Sequence, residues 1–333
     1  MKPCTAFSQR WNRWIALPLA AVALATTAWA QSPASSKPIT IVVGFAPGAG
    51  TDFLARSIAE SLQQRLKQTV IVENKPGAGG TFAVNAVARS PADGRTLLFA
   101  PNTLVIAPHV QPAAAGAPIH VLTDLQPISQ VTRSTLVLVT NPSALPIKDG
   151  AGLTALARNK PGLTYATAGN GTPQHIAGEL YARSADIKIT HVPYRGTSPA
   201  LIDLLGGHVS MAISSLGAAT PYLESGRLMP VAVVEKTRSP LLPDVPTLTE
   251  QGIDGVELSG WFGLLAPRGT PAEQVEKLNR LVNEIIATPD IQKKFSAQGE
   301  FTAGGSVQDF ARLLNSEYNF YEKIVKEYGI KSE

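Results

Sequence analysis

The sequence contains almost no cysteine: Cys4 is its one cysteine in 333 residues. Cys4 precedes the apolar part of an N-terminal leader, so it is not placed like the cysteine of a lipoprotein. If the leader is removed, the remaining chain has no thiol and forms no disulfide. Its stability must then come from a buried core, which a chain of about 300 residues is long enough to build.

The leader has the features of a secretory signal. Lys2, Arg10 and Arg13 precede an apolar run over residues 15–30 that ends in Ala28-Trp29-Ala30. This pattern predicts export and cleavage after Ala30. The alternative is an uncleaved anchor, but the run is short for a membrane span and ends in small residues.

An excess of charge is also lacking once the leader is set aside. The whole chain has a net charge of +4, and the leader supplies three cations and no acid. The rest therefore holds 26 lysine and arginine residues against 25 acids, a net charge of +1. Such a balance gives no reason to expect nucleic acid as a partner.

Catalytic motifs are lacking as well. The five histidines show no H-x-x-x-H or H-E-x-x-H spacing, which argues against a metal site. There is no G-x-S-x-G turn for a nucleophilic serine. Carboxylates that pair only in space are invisible at this level, so acid–base chemistry stays open.

What the sequence does contain is an alternation of strand and helix patterns. "PITIVVGF" is a β-branched run, and Leu54, Ile58, Leu62 and Leu66 then recur at the spacing of one helix face. A second set of such units follows residue 134, and the C-terminal part is helical. There, "TPAE" at 270–273 predicts a capping box with proline at the first helical position. The alternation predicts an α/β protein with two lobes.

Glycine-rich turns follow several predicted strands. The letters Pro-Gly-Ala-Gly occur at 47–50 and again at 76–79, but neither the P-loop nor the dinucleotide template is satisfied. The first turn opens a helix, where free N–H groups bind carboxylates; a plain tight turn is the alternative. The second is interpreted as a structural turn into a helix.

Two further helix starts have the same character. Thr172 is a good N-cap with Pro173 behind it, and Ser198 and Pro199 repeat that arrangement. His175 falls in the first turn of the former helix, where it is either a ligand donor or a surface histidine.

Six stretches, in order, resemble one known family. They are "PITIVVGFAPGAGTDFLARSIAESL", "VIVENKPGAGGTFAVNAVARSPADGRTLLFA", "YATAGNGTPQHIAGELY", "HVPYRGTSPALIDLLGGHVSMAI", "VPTLTEQGI" and "GWFGLLAPRGTP". Together with the leader, this set is similar to the Bug family, the substrate-binding receptors of tripartite tricarboxylate transporters. The resemblance covers essentially the whole chain after the leader.

The resemblance implies a two-lobed periplasmic binding protein. Each lobe is expected to be a mostly parallel sheet flanked by helices, with the ligand cleft between the lobes. Residues 31–132 and 260–333 are expected to form the first lobe and residues 133–259 the second, after a signal peptide at 1–30.

The function implied is that of a monomeric receptor without cofactor, metal or catalysis. It captures a small carboxylate, either a di- or tricarboxylate or an aromatic acid, for the membrane subunits of such a transporter. A periplasmic enzyme or a ligand-sensing subunit on the same scaffold is the alternative.

The family holds its ligand between the lobes with backbone amides, small polar side chains and ordered waters. The matching positions here are Gly48, Ala49, Gly50, Thr51, Asp52, Asn102 and Thr103 in the first lobe, and Gly169, Asn170, Gly171, Thr172, His175, Tyr194 and Ser214 in the second. Asn102 and Thr103 are expected to face the same cleft as the first loop. Ser214 stands where the family often has aspartate, which predicts a plain carboxylate ligand rather than an amino acid.

Overall fold

Two β-sheets, each covered by helices, make up the computed structural model, which describes residues 37–110, 119–147 and 149–330. The predicted signal peptide lies outside the described residues. The strands are β1 (Ile39–Val43), β2 (Val70–Asn74), β3 (Thr96–Pro101), β4 (Leu125–Ser134), β5 (Leu136–Thr140), β6 (Leu163–Thr167), β7 (Ile189–Pro193), β8 (Met211–Ser215), β9 (Met229–Val233), β10 (Gly260–Pro267) and β11 (Glu300–Thr302). The helices are α1 (Gly50–Leu66), α2 (Thr81–Ala88), α3 (Thr103–Val110), α4 (Val121–Asp124), α5 (Gly150–Asn159), α6 (Pro173–Ser184), α7 (Thr197–Leu205), α8 (Leu216–Glu224), α9 (Ala272–Ile286), α10 (Pro289–Ser296) and α11 (Val307–Tyr328).

Both sheets are mixed. The first has the order β11-β4-β10-β3-β1-β2, and β1 runs parallel to β2 and β3 while the other pairs are antiparallel. The second has the order β7-β6-β8-β5-β9, with β6 parallel to β7 and β8 and with β5 antiparallel to its neighbours. The predicted α/β class is confirmed, but "mostly parallel" describes only the β/α units. The strands that carry the chain between the sheets, β4, β5 and β10, add the antiparallel pairs.

The apolar runs form strands because both faces of each sheet are covered. In β3, Leu97 and Phe99 pack in one cluster with α1 and α9, while Leu98 and Ala100 pack in another. Side chains alternate between the faces of a strand, so a strand buried on both faces is apolar throughout. The cluster around Leu98 continues into the second sheet, which gives the two sheets a shared core.

The N-terminal caps of two helices in the C-terminal part differ from what the sequence predicts. The predicted capping box at 270–273 is wrong: α9 has Pro271 as its N-cap, and the hydroxyl of Thr270 donates instead to the carbonyl of Pro267 at 2.8 Å. A complete capping box occurs at α11, between Ser306 and Asp309. None of the helices in the described part of the chain has the length and hydropathy of a membrane span.

Candidate functional site

The carboxyl ends of the parallel strands from both sheets meet at one junction. Only Thr135 separates β4 from β5, so the chain passes directly from the first sheet to the second. In the second sheet, Leu136 at the start of β5 pairs with Ser215 at the end of β8. In the first, the end of β3 lies opposite the start of β10, which pairs with the end of β4. Open α/β sheets bind ligands at such carboxyl ends.

The first glycine loop leads into an uncapped helix at this junction. Gly48 has a φ of 82°, a conformation that favours glycine, and α1 begins at Gly50. Its N-cap is Ala49, which has no side chain able to cap. The first intrahelical bond runs from Phe53 N to Ala49 O, so the N–H groups of Gly50, Thr51 and Asp52 lack intrahelical partners.

Asp52 holds this loop in place through three hydrogen bonds. Its Oδ2 accepts from Gly48 N and from Arg56 Nε, both at 2.9 Å, and its Oδ1 accepts from Asn74 Nδ2 at 2.9 Å. Burial opposes ionisation, but the hydrogen bonds from Arg56, Gly48 and Asn74 outweigh it and lower the pKa of Asp52. Asn74 Nδ2 also donates to Phe45 O at 3.0 Å, so β2 anchors both ends of the turn.

The second Pro-Gly-Ala-Gly stretch supports the first. A 3₁₀ turn over Ala78–Gly80 leads directly into α2, in agreement with the predicted turn into a helix. Gly80 packs on Gly44 so closely that a Cβ added to Gly44 would lie 2.6 Å from Gly80 Cα. The two loops follow neighbouring parallel strands, which explains why they meet.

Asn102 differs from its expected place on the cleft wall. It is 1% exposed; its backbone N donates to Trp261 O and its Nδ2 donates to Ser259 O at 3.0 Å. Its side chain also hydrogen bonds with Glu317 and Tyr321 of α11. The end of β3 lies beside the start of β10. The side-chain amide of Asn102 therefore makes its hydrogen bonds inside the core between these strands and does not face a cleft. Thr103 is also buried, at the start of α3.

Trp261 and Glu317 complete this buried network. The indole Nε1 donates to Glu317 Oε2 at 2.8 Å, and the ring packs edge-on against Phe310. Burial raises the pKa of Glu317 to about 7, although Trp261 and Asn102 donate to it. The network ties α11 to the segment that returns from the second sheet.

The second glycine loop, residues 168–172, is capped as predicted. Thr172 Oγ1 accepts from His175 N at 3.3 Å and donates to Gly169 O at 2.7 Å, and Pro173 is the first residue of α6. Gly171 has a φ of 71°, and a Cβ added there would lie 3.7 Å from Ala107 Cα of α3. The loop therefore reaches from the second sheet to a helix of the first.

His175 is buried beneath this loop, at 3% exposure. Its Nδ1 accepts from Gly171 N at 3.3 Å, and its ring stacks on His191 at 4.2 Å between centroids. This contradicts the surface-histidine alternative.

Tyr194 and Ser214 make their hydrogen bonds within the second sheet and its helices. The hydroxyl of Tyr194 donates to Asp203 Oδ2 at 2.6 Å, and burial together with that carboxylate raises its pKa to about 12. Ser214 is fully buried in β8, and its Oγ donates to Ser215 O. Ser215, half-buried, is the N-cap of α8 and makes no side-chain cap.

Helix α7 begins earlier than predicted. Its N-cap is Gly196 rather than Ser198, and it starts at Thr197. Neither α7 nor α8 has a side-chain cap. The first N–H of α8, that of Leu216, donates to Thr135 O at 2.8 Å, whereas α7 begins after β7 with first-turn N–H groups that no side chain caps.

Sequence reasoning missed three residues that shape the site: Asn74, His191 and Ser215. Asn74 ends a strand beside β1, and a polar residue at the carboxyl end of such a strand is the sequence signal that marks it. No spacing links His191 with His175, because only the packing of α6 against β7 brings them together. In the described residues, no group of three or more His, Cys, Asp or Glu is arranged to hold a metal ion.

The sequence matches one family along most of its length. The model of the "Tripartite tricarboxylate transporter family receptor" matches residues 54–330. Protein BugT of Bordetella pertussis is 35% identical over 297 residues, which cover 89% of this chain and 90% of BugT.

Solved structures have the same fold. Rpa4515 of R. palustris, solved with adipate, superposes with a TM-score of 0.80 at 34% identity and covers 90% of this chain and 99% of its own. The periplasmic binding protein BugD superposes with a TM-score of 0.77 at 30% identity, covering 89% of this chain and 99% of its own.

Proposed function

Since this chain belongs to the family of tripartite tricarboxylate transporter receptors, which are periplasmic carboxylate-binding proteins, we propose that it captures a dicarboxylate for the membrane subunits of such a transporter. Adipate, the ligand of Rpa4515, gives the chemical class: two carboxylates joined by an apolar chain. The receptor acts as a monomer, after cleavage of its signal peptide behind Ala30.

The observation that carries the proposal is the uncapped start of α1. The N–H groups of Gly50 and Thr51 point out of the helix without an intrahelical partner, and Asp52 holds the preceding turn in place. An anion bound there gains hydrogen bonds and about 0.3–1 kcal/mol from the helix dipole. The carboxylate of Asp52 does not compete for these groups, because its own oxygens already accept three hydrogen bonds.

The second carboxylate belongs to the second sheet. The start of α7 lacks a side-chain cap and follows β7, whose carboxyl end lies on the same side of that sheet as the end of β8. A ligand with a charge at each end satisfies both sets of donors at once, which a monocarboxylate cannot do. This requirement is the physical basis for choosing a dicarboxylate.

Closure of two lobes around the ligand is part of the proposal. The first lobe comprises residues 31–132 and 260–333 and the second residues 133–259, so the crossings at Thr135 and at residues 234–259 act as the hinge. The ligand is released unchanged, because no nucleophile, metal or cofactor motif accompanies the binding groups.

Calorimetric titration and thermal denaturation with adipate test the function. Adipate is expected to raise the melting temperature, since a ligand at 100 times its Kd adds about 2.7 kcal/mol to stability. Succinate tests a shorter chain, and hexanoate, which lacks one carboxylate, is the matched control without stabilisation. Equal effects of adipate and hexanoate contradict the two-ended site.

Nuclear magnetic resonance of the recovered ligand separates the receptor from the enzyme alternative. A receptor returns adipate intact after long incubation with the protein. Any product that accumulates with protein concentration favours a periplasmic enzyme on this scaffold.

A further inference from the structure

Three aromatic rings stack beneath the loop over residues 168–172. His191 lies between Tyr165, at 4.9 Å between centroids, and His175, at 4.2 Å. The interplanar angles of 27° and 17° make this a continuous stack. It sits under the loop because β6, β7 and α6 each contribute one ring.

The two imidazoles hold the loop through its backbone. Gly171 N donates to His175 Nδ1 at 3.3 Å, and His191 Nε2 shares a hydrogen bond of 2.6 Å with the hydroxyl of Thr167. That hydroxyl in turn accepts from Gly169 N at 3.2 Å. Each histidine thus fixes one of the two glycines that bend the chain, His175 directly and His191 through Thr167.

The hydrogen bond to His175 requires a neutral ring at that position. A ring nitrogen that accepts from a backbone N–H carries no proton, so His175 holds its proton on Nε2. Burial lowers the pKa of His191 to about 3, with a smaller contribution from His175. Glu179 lies at the far side of Tyr165 and accepts from its hydroxyl at 2.7 Å.

Resting on the proposed function, we propose that His175 and His191 are a pair of positioning residues that set the shape of the 168–172 loop for ligand binding. They act through Gly171, Thr167 and Gly169 and do not themselves touch the carboxylate. The loop reaches Ala107 and Val110 of α3, so its shape also sets how the two lobes meet.

The test separates ring stacking from hydrogen bonding. His175→Phe and His191→Phe keep a stacked ring but remove its nitrogens. His175→Asn keeps an acceptor near Nδ1, and His191→Gln keeps a polar group near Nε2. His208→Phe, at an exposed histidine outside the stack, is the control.

Amide hydrogen exchange of residues 167–175 is measured in the ligand-free protein, and adipate affinity by calorimetry. Loss of one hydrogen bond is expected to speed exchange and weaken adipate binding by up to about tenfold in each Phe variant. The Asn and Gln variants are expected to stay within about threefold of the wild type. Unchanged exchange in the Phe variants overturns the proposal, as does equal damage in the Phe and the Asn and Gln variants.

Two readouts are independent of the ligand. Exchange in the ligand-free protein reports on the loop even if adipate does not bind, so failure of the proposed function is distinguishable. Nitrogen-15 spectra of the wild type at pH 7 are expected to show His175 unprotonated at Nδ1 and protonated at Nε2. A proton on Nδ1 of His175 overturns the proposal without any variant.

Discussion

Asp52 is a carboxylate placed beside the loop that we propose to bind an anion, where its negative charge opposes binding. Its three hydrogen bonds, one of which is the ion pair with Arg56, direct that charge inward, toward the turn it supports. The interaction depends on ionisation: since the folded pKa lies below the usual value, its contribution is present at neutral pH and is lost as pH falls through the folded pKa.

We predict that Asp52→Ala destabilises the protein by about 1–3 kcal/mol, because a buried network loses its acceptor. Asp290 provides a matched control: it also pairs with a basic residue four positions on, Lys294, but its side chain is 73% exposed against 5% for Asp52. Asp290→Ala is expected to change stability by less than about 0.5 kcal/mol. Urea denaturation at pH 7 measures both, and equal effects contradict the role given to Asp52.

Gly50 supplies the second prediction at this scale. A Cβ at Gly50 would meet no atom within 4 Å, and its backbone is not left-handed, so a larger residue fits the ligand-free fold. Gly50→Leu is expected to leave the melting temperature nearly unchanged while it weakens adipate binding at least about tenfold, since its side chain occupies the approach to the α1 amides.

Ala272→Leu is the control for Gly50→Leu, because Ala272 is the exposed first residue of α9. It is expected to retain both stability and binding. Adipate binding that survives in Gly50→Leu, measured by calorimetry, would remove Gly50 from the site.

At the scale of elements, the start of α8 lies against the turn between α10 and β11. A Cβ added to Gly217 would overlap the carbonyl oxygen of Gln298, and one added to Gly299 would overlap the backbone of Gly217. Leu216 N also donates to Thr135 O at 2.8 Å, so this contact lies where the chain crosses between the sheets.

Gly217→Ala is therefore predicted to destabilise the protein by about 1–3 kcal/mol through overlap with the turn. Helix propensity alone predicts the opposite sign, since alanine is favoured over glycine in a helix by up to about 1 kcal/mol. Gly50→Ala, at a helix-start glycine with open space around it, is the control and is expected to be neutral or stabilising. Thermal denaturation measures the stability of both variants. A stabilised Gly217→Ala would contradict the prediction and show that the turn at Gln298–Gly299 can move to accommodate a Cβ.

Elements were predicted well where local chemistry decides them. The cap at Thr172 with Pro173 placed the start of α6 correctly, and the apolar face of Leu54, Ile58 and Leu62 is buried in α1. Where a hydroxyl has another local acceptor the prediction is wrong: Thr270 donates to the carbonyl of Pro267, three residues back, instead of capping α9. Strand direction also lay beyond the sequence, because it depends on the route of the chain between sheets.

Non-local contacts also limited what could be predicted about the candidate site. Asn102, Tyr194 and Ser214 lie at or just after the ends of strands, as predicted. Their side chains, however, donate hydrogen bonds to protein acceptors, which are Ser259, Asp203 and Ser215 respectively. A sequence places a residue at the end of a strand but does not reveal which neighbour satisfies its side chain. The start of α1 after the first glycine turn, by contrast, follows from the local sequence, although the hydrogen bonds from Asn74 that anchor the turn do not.

For the whole molecule, two buried carboxyls set a dependence of stability on pH. Burial raises the pKa of Glu300 and of Glu317 from 4.5 to about 7. The folded chain thus keeps protons that the unfolded chain releases, so this contribution is complete at acidic pH and is lost as pH rises through about 7.

Glu317→Gln is predicted to stabilise the protein at pH 8 by up to about 3 kcal/mol relative to the wild type, with little difference at pH 4, below the pKa of the unfolded side chain. The amide oxygen of glutamine still accepts from Trp261, and no buried charge remains. Glu327→Gln, at an exposed position of the same helix, is the control without such a difference. Melting temperatures at the two pH values measure the effect, and a shift of equal size at both contradicts the assignment.

A further prediction concerns lobe closure. Trp261 is the only tryptophan after residue 30, and it lies at the start of the strand that returns from the second sheet. Its contacts with Glu317 and Asn102 couple it to the junction, so adipate binding is expected to change its emission. Fluorescence titration measures this, with Trp261→Phe as the blank. Unchanged emission at calorimetric saturation would place Trp261 outside the moving region.

The contact between Gly44 and Gly80 has a consequence for engineering. Because the backbones of the two loops touch, residues 44–52 cannot be exchanged for those of a relative unless residues 76–81 travel with them. To transfer ligand preference between receptors of this family, both segments must therefore be exchanged together. Asn74 should be retained, because it donates hydrogen bonds to Phe45 and Asp52 at the two ends of the first loop.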